Sequence, residues 1–149
     1  MSKQREIADQ ALAIILAKKA EDADYFPLDF TPEVQFRVDL DPPPVGKCRL
    51  YVQPVGFRSE RDDRGDGRDR TYYVDLVFLE SIPHNPMSAE GVEWLEKRLL
   101  FIEQLEDLDF SEVEAASWED SEVVNLLFES SAVDEDAVFF QSVRLEFSE

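Results

Sequence analysis

The sequence predicts an α+β fold: a mainly antiparallel sheet of about five strands, two helices packed on one of its faces, and the element order α-β-β-β-α-β-β. Three observations predict it. Two stretches space their apolar residues three and four apart, as helices do. Several others alternate apolar and polar residues with a period of two, as half-buried strands do. Proline, glycine and acidic clusters separate these stretches.

Residues 4–20 read as the first helix, with Ile7, Ala11, Ile14 and Ile15 on one stripe and Leu12 beside them; Asp22 and Asp24 end it and Pro27 blocks its continuation. Residues 33–40 alternate, which predicts a strand with Val34, Phe36, Val38 and Leu40 on one face, stopped by Pro42, Pro43 and Pro44. A second strand is expected over 47–55, with Cys48, Leu50 and Val52 inward and Lys47, Arg49, Tyr51 and Gln53 outward. Pro54 and Gly56 mark its end.

Residues 58–70 hold five Arg and five acids and no aliphatic side chain, so the stretch is expected to be a mobile, mixed-charge hairpin loop. The strand at 71–80 sets Tyr72, Val74, Leu76 and Phe78 on one face and Tyr73, Val77 and Leu79 on the other, interrupted by Asp75. Apolar residues on both faces indicate a central strand, or one whose second face meets a partner. The arginines Arg58, Arg61, Arg64, Arg68 and Arg70, with Tyr73, Val77 and Leu79, are therefore the candidate assembly loop and edge strand.

Residues 82–87 form a proline-broken linker, and Ser88 is placed to cap a second helix over 89–107. Val92, Leu95, Leu99, Ile102 and Leu105 form its stripe, with Trp94 and Phe101 widening the apolar arc. Residues 109–121 read as acidic and irregular, 122–128 as a short strand, Asp134–Asp136 as a turn, and 138–147 as a last strand. There Phe139, Gln141, Val143, Leu145 and Phe147 alternate against Val138, Phe140, Ser142, Arg144 and Glu146. With 149 residues and no internal repeat, a single domain over 1–149 is expected.

Composition narrows the function. There are 34 acids against 15 bases, a net charge of −19. The imbalance is lopsided: residues 1–70 hold 14 acids and 12 bases, residues 71–149 hold 20 acids and 3 bases, net −17. Such a surface repels phosphates, which argues against sequence-specific nucleic-acid binding and against anionic lipid. The longest apolar run, Ala11 to Ala17, is too short for a membrane span, and the first residues show no signal-peptide pattern. One cysteine, Cys48, forbids an internal disulfide and fits a reducing compartment.

No catalytic constellation emerges. His84 is the only histidine, sitting between Pro83 and Asn85, so neither a histidine triad nor a multi-histidine metal site can form within one chain. Cys48 shares strand parity with Leu50 and Val52, as a core thiol does. The run Asp62-Asp63-Arg64-Gly65-Asp66-Gly67 fails as a calcium loop, because Arg64 stands at its third position and Tyr73 at its twelfth. No cofactor is expected, and no enzymatic activity.

Six stretches carry a resemblance: Ile7–Leu16, Pro32–Leu40, Arg49–Pro54 (RLYVQP), Arg70–Leu79 (RTYYVDLVFL), Ser88–Leu105 and Phe139–Phe147 (FFQSVRLEF), with Trp118 ahead of the penultimate strand. In order and spacing the chain resembles the tail-terminator or minor-tail proteins of tailed phages and prophages. The resemblance implies a structural virion part, assembled in the host bacterial cytoplasm into a ring, commonly hexameric, at the head-proximal end of the tail. Its partners would be further copies of itself, tail-tube proteins and head–tail connector proteins. An acidic lumen would keep passing DNA from sticking. The acidity supports an alternative from another class, a DNA mimic that inhibits a DNA-binding protein.

Overall fold

The computed structural model describes residues 1–37, 47–61, 68–83, 88–124 and 138–149. Helix α1 spans Lys3–Glu21 and is followed by strands β1 (Thr31–Val34), β2 (Cys48–Arg61) and β3 (Arg68–Ser81); then come helix α2 (Ala89–Glu106) and strands β4 (Ser117–Val123) and β5 (Val138–Ser148). The strands form one sheet in the order β1-β2-β3-β5-β4. All pairings are antiparallel except β1 with β2, which is parallel. This is the α+β architecture and the element order that the residue pattern predicts.

Both helices pack on the same sheet face. Leu50 and Val52 of β2, Tyr72, Val74, Leu76 and Phe78 of β3, and Phe139, Val143, Leu145 and Phe147 of β5 share a core with Ile7, Ala11 and Ile15 of α1. Residues Trp94, Leu95, Phe101, Ile102 and Leu105 of α2 close it. Phe101 sits at its aromatic centre, 4.8 Å from the Phe30 ring, 5.1 Å from Phe78 and 5.4 Å from Phe26. Ser2 caps α1 by accepting from the Arg5 N–H, and Ser88 caps α2 by accepting from the Gly91 N–H, each satisfying a donor that the helix leaves free.

The α2 face is rotated from the expected stripe. Trp94 and Phe101 are buried in it together with Leu95, Ile102 and Leu105, whereas Val92 is exposed and Leu99 only half-buried. The two large rings bury more apolar surface than Val92 would, so they set the phase.

Three strand boundaries also differ. β1 ends at Val34: the Gln35 N–H donates to the Val52 carbonyl, and then the Gln53 side chain takes the Phe36 carbonyl. Phe36 is accordingly 54% exposed, its ring facing the Arg5 guanidinium instead of the core. Val38, Leu40 and the three prolines lie outside the described residues.

β2 does not stop at Pro54. The Val52 carbonyl faces the β1 side, so Pro54, two residues on, faces the same side beyond the end of β1, where its missing N–H breaks no ladder bond. A bulge between Pro54 and Gly56 then shifts the register, with Gly56 at φ 147°, a conformation that favours glycine.

β4 begins at Ser117, so Trp118 lies within the strand, opposite Phe147, and the acidic 117–121 segment is ladder rather than irregular. Glu119, Asp120 and Glu122 are tolerated there because the strand is at the sheet edge and they are exposed. The expected 122–128 strand overlaps it only at Glu122 and Val123; residues 125–128 and the turn at 134–136 lie outside the described residues.

Candidate assembly surface

The charged stretch 58–70 is ladder at both ends. Arg58 opposes Thr71, Ser59 opposes Arg70, Glu60 opposes Asp69 and Arg61 opposes Arg68. β2 and β3 thus form a long hairpin that reaches past the other strands: β1 ends opposite Val52, and β5 reaches β3 only as far as Thr71. The expected hairpin is present, but its arms are strands rather than loop. Its tip, residues 62–67 with Arg64, lies outside the described residues, as does the Arg68 side chain.

On this arm Arg58 pairs with Glu60 two residues along the same strand face. Arg70 lies 5.7 Å from the centre of the Phe57 ring, which in turn is 5.7 Å from Tyr72. Phe57 is 51% exposed and, beyond the bulge, Val55 is 46% exposed. The residue pattern singles out neither, since Val55 closes the expected 47–55 strand and Phe57 stands alone before a charged run.

Tyr73, Val77 and Leu79 do not form an edge. β3 is bonded to β2 on one side and β5 on the other, so its backbone is satisfied, and Val77 and Leu79 are 4% and 1% exposed. This corrects the edge assignment: the alternative, a central strand apolar on both faces, is what the sheet contains. Tyr73 is half-buried, under the Arg144 guanidinium 5.8 Å from its ring centre.

Two ion pairs flank that centre, one on each sheet face, Arg98–Glu80 withdrawn from water and Arg144–Asp75 partly exposed. Arg144 of β5 reaches Asp75 of β3 through Nε and Nη2, at 2.9 and 3.1 Å, on the face away from the helices. The Asp75 carboxylate beside it raises the guanidinium's already high pKa, with Glu122 adding to the effect. On the helix face Arg98 of α2 grips Glu80 of β3, with its guanidinium 4.2 Å from the Trp94 ring centre. Cys48 lies opposite Glu80 in the ladder. Burial, and then the neighbouring carboxylate, push its thiol from 9.0 up to about 12, so it is a protonated core group and a poor nucleophile at neutral pH. The only sequence hint of these pairs was a lone acid interrupting each apolar face of β3.

A groove separates α1 from the segment after α2, walled by Ile14, Ala17 and Leu108 and rimmed by Glu21, Asp109 and Glu112. Gln10 spans one end, its side-chain oxygen accepting from the N–H groups of Glu114 and Ala115. Among the described residues no three His, Cys, Asp or Glu side chains gather as a metal site. Nor is any described helix long and apolar enough to cross a membrane. His84 lies outside the described residues. No protein-family model matches the sequence, and no curated protein matches it.

Proposed function

We propose that this chain is a structural, non-enzymatic component of a tailed phage or prophage virion, akin to a tail terminator, that assembles with copies of itself into a ring. The observation that carries the reading is the long β2–β3 hairpin, which extends past the rest of the sheet and presents exposed Phe57 beside charged residues. A projecting arm of this kind has few contacts within its own chain and suits subunit contact. The ring also needs two unlike surfaces, since a head-to-tail contact is heterologous. The sheet supplies unlike edges: β1 and the bare arm of β2 on one side, acidic β4 on the other. Tail-tube and head–tail connector proteins are the proposed neighbours, and the tail of the virion, put together in the bacterial cytoplasm, is the proposed location.

The acidity supports a second reading. Glu93, Glu96 and Glu103 are exposed on α2, and Glu119, Asp120 and Glu122 on β4, so a DNA-mimic inhibitor remains the alternative. Ionic strength separates the two. Copies that each carry −19 repel one another, so ring assembly strengthens as salt shortens the screening length from about 30 Å at 0.01 M to about 3 Å at 1 M. A mimic's complex with a basic partner weakens over the same range. Analytical ultracentrifugation across that range, with electron microscopy of tail tubes mixed with the protein, is the test. A chain that stays monomeric at all salts and does not cap tubes overturns the ring.

A further inference from the structure

The two lateral edges of the sheet are finished differently. On β4 the outward N–H of Val123 donates to the Glu106 carboxylate, the Ser121 N–H donates to the Asp120 side chain, and the Asp120 carbonyl accepts from the Trp118 indole. That edge is blunted by a glutamate of α2 and by side chains of β4 itself. On the arm of β2, past Pro54 and the bulge at Gly56, no side chain among the described residues caps the outward backbone groups.

Which groups of this arm face outward follows from the ladder. The Arg70 carbonyl accepts from the Glu149 N–H on the β5 side, so the alternate residues Asp69 and Thr71 turn their backbone toward β2. Their partners Glu60 and Arg58 are therefore the bonded positions. Phe57, Ser59 and Arg61 turn their N–H and C=O groups to the open edge.

We propose that this edge pairs with the same edge of a second copy, antiparallel, with Ser59 on the two-fold axis. In that register Ser59 exchanges both backbone bonds with its counterpart, and Phe57 exchanges both with the counterpart of Arg61. Arg58 then stands opposite the second copy's Glu60 at a non-bonded position, where opposing side chains come closest. Each carboxylate thus meets one guanidinium within its chain and one across the axis, and the exposed Phe57 ring gains an arginine neighbour.

Neighbouring registers are disfavoured. A slip of two residues one way sets Arg58 against Arg58, and the other way Glu60 against Glu60; directly opposed like charges destabilise a strand pair. The segment is complementary to itself in one register, which is what a two-fold contact requires. Such a contact is isologous and stops at two copies; it occupies the β2 arm that the ring reading gives to a head-to-tail contact, so the two are competing uses of one edge.

The test is charge reversal and its rescue. In sedimentation velocity the unaltered chain is expected to show a species of twice its mass. Arg58→Glu should return it to monomer, since four carboxylates then face one another, while Arg58→Glu with Glu60→Arg should restore the dimer. Both positions are exposed, and circular dichroism confirms that each variant is folded. In a Cys48→Ser background, Ser59→Cys should cross-link two chains under mild oxidation, because bonded antiparallel pairs have Cα atoms about 5.5 Å apart, within disulfide reach. A monomeric unaltered chain, a double variant that does not dimerise, or an uncross-linked Ser59→Cys dimer overturns the pairing. A ring untouched by Arg58→Glu also overturns it and leaves the ring reading standing.

Discussion

Arg98 holds Glu80 through two parallel bonds, Nε to Oε2 at 2.7 Å and Nη2 to Oε1 at 2.8 Å, and both side chains are withdrawn from water. The pair ties the middle of α2 to the far end of the central strand, beneath the Trp94 ring. Arg98→Ala should cost about 3–5 kcal/mol, because it strands a buried carboxylate. Arg144→Ala should cost less, since Arg144 is more than a third exposed and water can reach Asp75 in its place. Urea melts of the two variants give the order; equal losses would show that burial is not what separates the pairs.

Cys48 gives the fold a signature on the alkaline side. Its pKa is higher folded, at about 12, than at the ordinary 9.0, so the folded state keeps the proton longer than the unfolded one. The associated stability is fully present below pH 9 and is lost as pH rises from 9 toward 12, by up to about 1.4 kcal/mol per pH unit. The difference in stability between the unaltered chain and Cys48→Ala should therefore narrow across that window. A difference that stays constant would place the thiol in water.

Phe101 makes the sharpest core test. Phe101→Ala opens a hole among Phe26, Phe30 and Phe78 and should cost about 3–5 kcal/mol. Val92→Ala, on the exposed side of the same helix, should stay within about 0.5 kcal/mol. Calorimetry of the pair reads the helix phase directly.

Gly56 isolates backbone strain from packing. A Cβ there would meet nothing within 4 Å, yet φ is 147°. Gly56→Ala should thus cost about 1–3 kcal/mol through conformation alone. A neutral substitution would mean that the bulge relaxes.

The long periodic elements were legible from residues alone. α1 and α2 follow from three-four spacing, β3 and β5 from alternation, and the N-cap at Ser88 from its place before an apolar run. What escaped depended on partners distant in sequence. Pro54 reads as a strand end, and only the early finish of β1 makes it harmless. Trp118 reads as loop because acids surround it, and only its place opposite Phe147 at the sheet edge makes those acids strand residues. β1 looked twice its described length because Phe36 continues the alternation, although no bonded neighbour continues with it. The charged run was rightly marked as a hairpin but read as loop, since Arg and Glu give no apolar signal even when their backbones are paired. Val77 and Leu79 show the converse: two-sided apolarity marked a central strand, and β3 lies between β2 and β5.

The position of β5 between β3 and β4 has a consequence for how the chain is made. β2 and β3 are joined by a short connection and can meet as soon as both have left the ribosome. β4 has no partner among the described strands except β5, and the β5 side of β3 is likewise open until Val138–Ser148 arrive. Phe139, Val143, Leu145 and Phe147 complete the core at that same moment. Closing so many long-range contacts in one late step makes folding slow relative to a helical bundle of this size. It also makes it strongly cooperative, so a chain truncated before residue 138 would emerge with its helices unseated and its central strand bare, a ready substrate for proteolysis.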